Sequence, residues 1–180
     1  MQEEIVISGF GGQGALFAGQ VLAYTALDEG REVTWIPSYG PEMRGGTAHC
    51  TVIIGDEPIG SPIVRQPSIA IAMNLPSYEK YGKLVRSGGL LVVNSSLVPQ
   101  TCERADLREI RVAASEIASE LGDVRMSNVV LLGAMLRVTS VLSVDAVLES
   151  MEKHVAGRAR RLLQQNKAAL RRGYEAAGSA

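Results

Sequence analysis

Glu4-Ile5-Val6-Ile7-Ser8 runs directly into Gly9-Phe10-Gly11-Gly12-Gln13-Gly14, and a helix-like pattern from Ala15 to Glu29 then closes at Gly30. The β-branched run reads as a strand, the apolar positions of the next segment suit a helix, and glycine supplies the left-handed residue that ends one. A strand, a glycine turn and a helix in that order open an α/β unit. Gly9, Gly11 and Gly14 satisfy G-x-G-x-x-G. Glycine permits positive φ and close approach of a ligand, and N–H groups at a helix start attract anions. A phosphate-binding loop is one reading; a tight turn that lets helix and sheet pack closely is the other.

The residues beyond the first helix constrain the kind of phosphate ligand. A dinucleotide fold places an acid about 20 residues on, at the end of the second strand, to hold the ribose hydroxyls. Here that strand ends Trp35-Ile36-Pro37-Ser38-Tyr39, which argues against NAD or FAD. No G-K-[ST] follows the glycines, so the Walker pattern also fails.

A second loop, Pro37-Ser38-Tyr39-Gly40-Pro41-Glu42-Met43-Arg44-Gly45-Gly46-Thr47, leaves the carboxyl end of the second strand. In open α/β sheets ligands gather at that edge. Pro41 stiffens the chain, Gly45 and Gly46 allow an unusual path, and Glu42 and Arg44 are spaced to point the same way in an extended segment. Solvated surface charges are the plainer alternative.

Val33–Pro37, Ala48–Ile54, Ser68–Asn74 and Gly89–Asn94 read as further strands, nearly continuous in apolar residues, as expected where helices cover both faces of a sheet. Pro76–Val85, Arg111–Leu121, Asn128–Val141, Ser143–Lys153 and Val155–Tyr174 read as helices, with Ser127 and Ser143 as N-caps. All seven prolines lie between Pro37 and Pro99, leaving the last 81 residues free for long helices. The expected fold is a single α/β domain over residues 1–180, three-layered and Rossmann-like, with a mostly parallel sheet and helices on both faces.

Composition narrows the function. The 180 residues carry a formal net charge of −1, which fits one globular domain without a nucleic-acid bias. Residues 153–180 hold seven basic side chains against one acidic, so that tail is the only basic region; a solvated face or an acidic partner explains it better than nucleic acid. The longest apolar run, Val129–Leu136, is far short of a bilayer span, and the acidic N-terminus lacks the basic character of a targeting signal, so a cytoplasmic protein is expected. Cys50 and Cys102 have no neighbouring thiol, and His49 and His154 complete no metal-ligand pattern, so neither zinc nor an iron–sulfur cluster is expected on this chain. Neighbours on a strand point to opposite faces, which disfavours His49 and Cys50 as a catalytic pair. Asn74 and Asn94, each ending a strand at the carboxyl edge, suit turn starts or a ligand.

Together, GFGGQG and PSYGPEMRGGTAHCTVIIGDEPIGSPIV resemble the gamma subunit of 2-oxoacid:ferredoxin oxidoreductases, especially the 2-oxoglutarate and branched-chain 2-oxoacid members. The resemblance continues through IAMNLPSYEKY, GGLLVVNSSLV, MSNVVLLGAM and a terminal helix containing NKAAL, so it covers nearly the whole chain. It implies a multi-subunit enzyme that decarboxylates a 2-oxoacid with thiamine diphosphate, passes electrons through iron–sulfur clusters to ferredoxin and releases an acyl-CoA. Thiamine diphosphate, Mg and the clusters would lie on alpha, beta and delta-type partners, since this chain has no G-D-G…N-N pattern and no cysteine cluster. No catalytic residue and no metal ligand is expected here. By the same resemblance Gly9, Gly11, Gly12, Gln13 and Gly14 are candidates for coenzyme A phosphates. Ser38, Tyr39, Glu42, Arg44, Gly45 and Gly46 would form an interface or substrate-side loop. The small subunit of an indolepyruvate ferredoxin oxidoreductase, and a stand-alone nucleotide- or CoA-binding module, remain open as alternatives.

Overall fold

In the computed structural model the described residues are 2–38 and 47–178. Six strands form one sheet: β1 (Gln2–Phe10), β2 (Glu32–Ser38), β3 (Thr47–Gly55), β4 (Ile69–Ala72), β5 (Leu90–Asn94) and β6 (Arg108–Val112). Their order is β2-β3-β1-β4-β5-β6. β1, β4, β5 and β6 are parallel neighbours, whereas β3 runs against both β1 and β2. The sheet is therefore mostly parallel, as expected, with one reversed strand inserted beside β1.

Helices α1 (Ala15–Asp28), α3 (Ala114–Glu120), α4 (Ser127–Val138), α5 (Val144–His154), α6 (Gly157–Arg160) and α7 (Leu163–Ala177) follow the same chain as α2 (Leu75–Leu84). The alternation along each strand sorts the core into two layers. Ile5 and Ile7 of β1, Cys50, Val52 and Ile54 of β3 and Val92 of β5 join the large cluster with α1, α4, α5 and α7. Val6, Ala70, Ala72, Leu91 and Val93 face the smaller cluster under Tyr81 and Val85, at α2.

The apolar run that stood out in the sequence becomes the central helix. Asn128 to Leu136 of α4 is buried at every position, the pattern of a helix wrapped on all sides by protein. Burial of each leucine side chain there contributes about 1.5–3 kcal/mol against leaving it exposed. Contact with α7 is backbone to backbone: an added Cβ on Gly133 would run into the Leu170 carbonyl oxygen, and one on Gly173 into that of Val130. No described helix is long and apolar enough to cross a membrane.

Three expectations need correction. Arg111–Leu121 is not one helix: Arg108–Val112 is the edge strand β6, and helix begins only at Ala114. Ile110 and Val112 turn inward at a period of two, while Arg111 donates to the carbonyl of Val98 and to Glu109 Oε1, at 2.6 Å for the latter. Ser127 is not an N-cap, because Asp123 Oδ1 already accepts from Arg125 N–H at 3.0 Å and starts a 3-10 turn (Val124–Met126) that feeds α4. Val155–Tyr174 is interrupted, with α6 and α7 separate. Ser143 does cap α5, accepting from Ala146 N–H at 3.1 Å.

Candidate functional site

The end of β1 brings the chain to the carboxyl edge. Gly9 and Phe10 still pair with β3, opposite Ala48 and Thr47, so the turn proper starts two residues later than the glycine motif suggests. Gln13 holds it. Its Oε1 accepts from Phe10 N–H at 2.6 Å and from Asn74 Nδ2 at 3.1 Å, and its own N–H donates to the Phe10 carbonyl at 3.1 Å. The Gln13 amide occupies the space a Gly9 side chain would take: an added Cβ would lie 2.6 Å from Oε1 and 3.1 Å from Met73 Cβ. Gly9 thus serves packing, and Gln13 is committed to the turn.

Gly12 and Gly14 require glycine for a different reason. Both have positive φ, 96° and 77°. A Cβ on Gly12 would have no atom within 4 Å and would project into open space. At Gly14 it would collide with the amide of Asn128, whose Nδ2 donates to the Gly14 carbonyl at 2.9 Å. Gly14 is the residue before α1, so no side-chain oxygen caps the first turn of that helix, and no acidic residue lies in it. The uncapped N–H groups and the dipole of α1 face the edge of the sheet.

Beside this helix end lies a pocket of about 170 Å³ bounded by Gly12, Gly14, Phe17, Arg125, Asn128 and Asn166, with Asp123 at its wall. Asn166, in the first turns of α7, is 6% exposed. Asn128 beside it is engaged at both Nδ2 and Oδ1. Arg125 grips the Asp123 carboxylate through Nε and Nη2, at 2.9 and 2.6 Å. That grip holds the Asp123 carboxyl below the usual carboxylate range.

The rest of the edge is a polar seam. Asn74 caps α2 by accepting from Ser77 N–H at 3.0 Å, and Ser8 Oγ lies 2.9 Å from Ser77 Oγ. Asn94 does not bond its own backbone with its side chain; Nδ2 donates to Met73 O at 3.3 Å and Ser115 Oγ at 2.9 Å, tying β4 and α3 to β5. His49 sits between Ser8 and Ser38 in register. Its ring lies 5.7 Å from that of Tyr81, and burial, then Lys80, lowers its pKa. Cys50, on the opposite face, is fully buried and its thiol is pushed up to about 12 by burial. The two are not a catalytic pair.

Of the second loop's candidate residues only Ser38 is placed, half-buried at the end of β2 and level with Ser8 across β3. Tyr39, Glu42, Arg44, Gly45 and Gly46 lie outside the described residues. Within the tail, Lys167 pairs with Glu152 and Arg172 pairs with Glu120 at 2.7 Å, so part of its basic character is neutralised internally. His154 closes α5, its ring stacked on Tyr24 at 4.5 Å and Nε2 3.0 Å from Asp28. Among the described residues no group of three or more His, Cys, Asp or Glu side chains could hold a metal ion.

Asn128, Asn166 and Arg125 were not singled out by the sequence pattern. The available signal was a lone asparagine at the start of an otherwise apolar helix and another within NKAAL, segments noted only for their resemblance.

The chain matches the family described as pyruvate ferredoxin/flavodoxin oxidoreductase over residues 4–176. It is 36% identical over 186 residues to the 2-oxoglutarate synthase subunit KorC of Methanocaldococcus jannaschii, covering 98% of this chain and 95% of that one. It spans only 27% and 35% of the length of two ketoisovalerate oxidoreductase VorA subunits from Methanothermobacter that it also matches. Among solved structures, the gamma subunit of a keto/oxoacid ferredoxin oxidoreductase from Geobacter sulfurreducens superimposes with a TM-score of 0.85 at 30% identity over 99% of both chains. A 2-oxoglutarate:ferredoxin oxidoreductase from Magnetococcus marinus, with 2-oxoglutarate, coenzyme A and succinyl-CoA bound, shares the fold at a TM-score of 0.87 and 21% identity, over 99% of this chain and 31% of that one.

Proposed function

Because this chain belongs to the pyruvate ferredoxin/flavodoxin oxidoreductase family, we propose that it is the gamma-type subunit of a cytoplasmic 2-oxoacid:ferredoxin oxidoreductase. The assembled enzyme converts a 2-oxoacid and coenzyme A to an acyl-CoA and CO2 and passes the electrons to ferredoxin. The observation that carries the reading is end-to-end similarity to subunits of that class, at 36% identity to a 2-oxoglutarate synthase subunit. 2-Oxoglutarate is the substrate it favours; a branched-chain 2-oxoacid is the second, favoured by 43% identity over 132 residues to one VorA subunit.

The division of labour follows from the side chains present. With two separated cysteines and no metal-ligand cluster among the described residues, this chain offers no donor set for an iron–sulfur cluster, so thiamine diphosphate, Mg and the clusters are assigned to alpha, beta and delta-type partners. The chain's own share is acyl-acceptor handling and assembly. Coenzyme A supplies the thiol that takes up the acyl group. Its phosphates fit the glycine turn, where Gly12 leaves the backbone open and α1 presents uncapped N–H groups. Gly9, Gly11, Gln13 and Gly14 shape that turn. Ser38 and the loop holding Tyr39, Glu42, Arg44, Gly45 and Gly46 are assigned to the partner- or substrate-facing side.

The test is reconstitution of the purified chain with its co-purifying partners. Gly12→Ala should raise the KM for coenzyme A severalfold with little change in that for 2-oxoglutarate. An unchanged coenzyme A KM in an active Gly12→Ala enzyme would return the glycine turn to a purely structural role.

A further inference from the structure

We propose that the cleft between α1 and α5 is a binding site for a small uncharged molecule with an apolar body and one hydroxyl or carbonyl group. The cleft encloses about 270 Å³ and has only Phe17 in common with the pocket at the glycine turn.

Ser150 carries the argument. A hydroxyl inside a helix is met either by donating to the carbonyl one turn back or by facing water. Thr25 in α1 and Ser119 in α3 do the first, at 2.8 and 2.7 Å. Ser150 in α5 does neither: the residue is 1% exposed, and its Oγ is buried with no hydrogen-bond partner among the described residues. Buried hydroxyls almost always find partners, because an unmet one loses its hydration without compensation. Ser150 also lines the cleft, so a polar atom of a molecule seated there supplies the missing partner.

The walls set the rest of the ligand's chemistry. Phe17, Val21 and Tyr24 stand at i, i+4 and i+7 on α1, across from Met151 of α5 and Val155 just beyond it. Val21, Met151 and Val155 are each at most 7% exposed, so core packing fixes the shape of the cleft. Gln20 adds a neutral amide. The one basic side chain at the wall, His154, is already committed. Its ring stacks on Tyr24 with centroids 4.5 Å apart, and Nε2 lies 3.0 Å from the Asp28 carboxylate, which Lys153 also approaches at 3.4 Å. A charged ligand would lose its hydration against apolar walls and meet no free counter-charge there. A neutral hydroxyl or carbonyl loses far less and bonds Ser150. The volume lies near the lower end of ligand pockets, roughly 300 Å³, so the apolar body is a single ring or a branched chain.

The test titrates the full-length chain with benzyl alcohol, toluene and benzoate, read by saturation-transfer NMR. Benzyl alcohol and toluene differ by one hydroxyl, so the parent should bind the alcohol about fivefold more tightly, the worth of one neutral hydrogen bond. Ser150→Ala should remove that preference, keep toluene binding and melt no lower than the parent, since it deletes an unmet group. Ala156→Trp, at an exposed position on the rim, should block both probes in a chain that still folds. Neither benzoate nor coenzyme A should compete. An alcohol preference that survives Ser150→Ala, or is missing in the parent, would refute Ser150 as the anchor. Benzoate binding more tightly than the alcohol would refute the uncharged class. Displacement by coenzyme A would make the cleft part of the coenzyme A path and end its standing as a separate site. Saturable binding of neither benzyl alcohol nor toluene would overturn the cleft as a ligand site, leaving the functional reading to its own Gly12→Ala kinetics.

Discussion

Replacing Gly14 and Gly12 separately by alanine should give unequal losses, although both occupy left-handed backbone two residues apart, with φ of 77° and 96°. The backbone penalty is common to both, about 1–2 kcal/mol for an L residue in that region. At Gly12 nothing lies within 4 Å of the new Cβ, so the loss ends there. At Gly14 the Cβ drives into Asn128, with Cγ 3.1 Å away, and displaces the amide that donates to the Gly14 carbonyl at 2.9 Å. Asn128 is 4% exposed, so its freed amide adds about 1–3 kcal/mol. Gly14→Ala should therefore cost about 2–5 kcal/mol, or roughly 5–15 °C in Tm for a domain of this size. Urea denaturation followed by circular dichroism measures both variants, with Asn128→Ala and the double variant completing the cycle. Trimming Asn128 relieves the collision, so the double variant should fall short of the sum by about 1 kcal/mol or more. Additive losses, or a Gly14→Ala variant no less stable than Gly12→Ala, would show that Asn128 does not lock the turn.

Four further outcomes can be measured. If the loop holding Arg44 serves the complex, Arg44→Ala should leave the Tm of the isolated chain nearly unchanged while activity or partner binding in the reconstituted enzyme falls; equal losses in both would make the loop structural. Gly173→Ala should cost about 3 kcal/mol, the upper part of the overpacking range, because its Cβ meets the Val130 carbonyl of α4; a variant of parental stability would refute the close helix contact. In the native chain a thiol reagent such as Ellman's should titrate Cys102, which is half-buried, and spare Cys50, whose thiol burial raises to about 12; two fast thiols would contradict that burial. His154, hydrogen-bonded to Asp28, and then Lys153 hold the Asp28 carboxyl below its ordinary value, so its contribution is present above the unfolded pKa of about 3.9 and is lost as pH falls through the folded value. Asp28→Asn should lower the urea midpoint at pH 6 and leave it unchanged at the acid extreme; a uniform offset across pH would refute the linkage.

What the amino-acid order determined by itself is the part ruled by short-range periodicity and backbone sterics. The run Glu4–Ser8, the glycines after it and the stop at Gly30 specify strand, turn and helix because each signal acts over a few residues: Gly30 has φ 73° and Arg31 N–H donates to Ala26 O at 3.0 Å, as a glycine-ended helix requires. The buried β4 and β5 announced themselves as apolar runs for the same reason. β6 did not, since an edge strand carries charges such as Arg108 and Arg111, and its inward Ile110 and Val112 are too few to distinguish period two from a helix turn. The reversal of β3 had no local signature either, because strand direction is set by which edges remain free to pair and not by the strand's own residues. The candidate site divides the same way. Glycine at positions 12 and 14 was legible, but that Asn128 would bond Gly14 across a sequence separation of 114, and that Asn166 would line the same pocket, came only from α4 and α7 packing backbone to backbone over the sheet. Local sequence writes the donors into the chain; the tertiary fold chooses which of them meet.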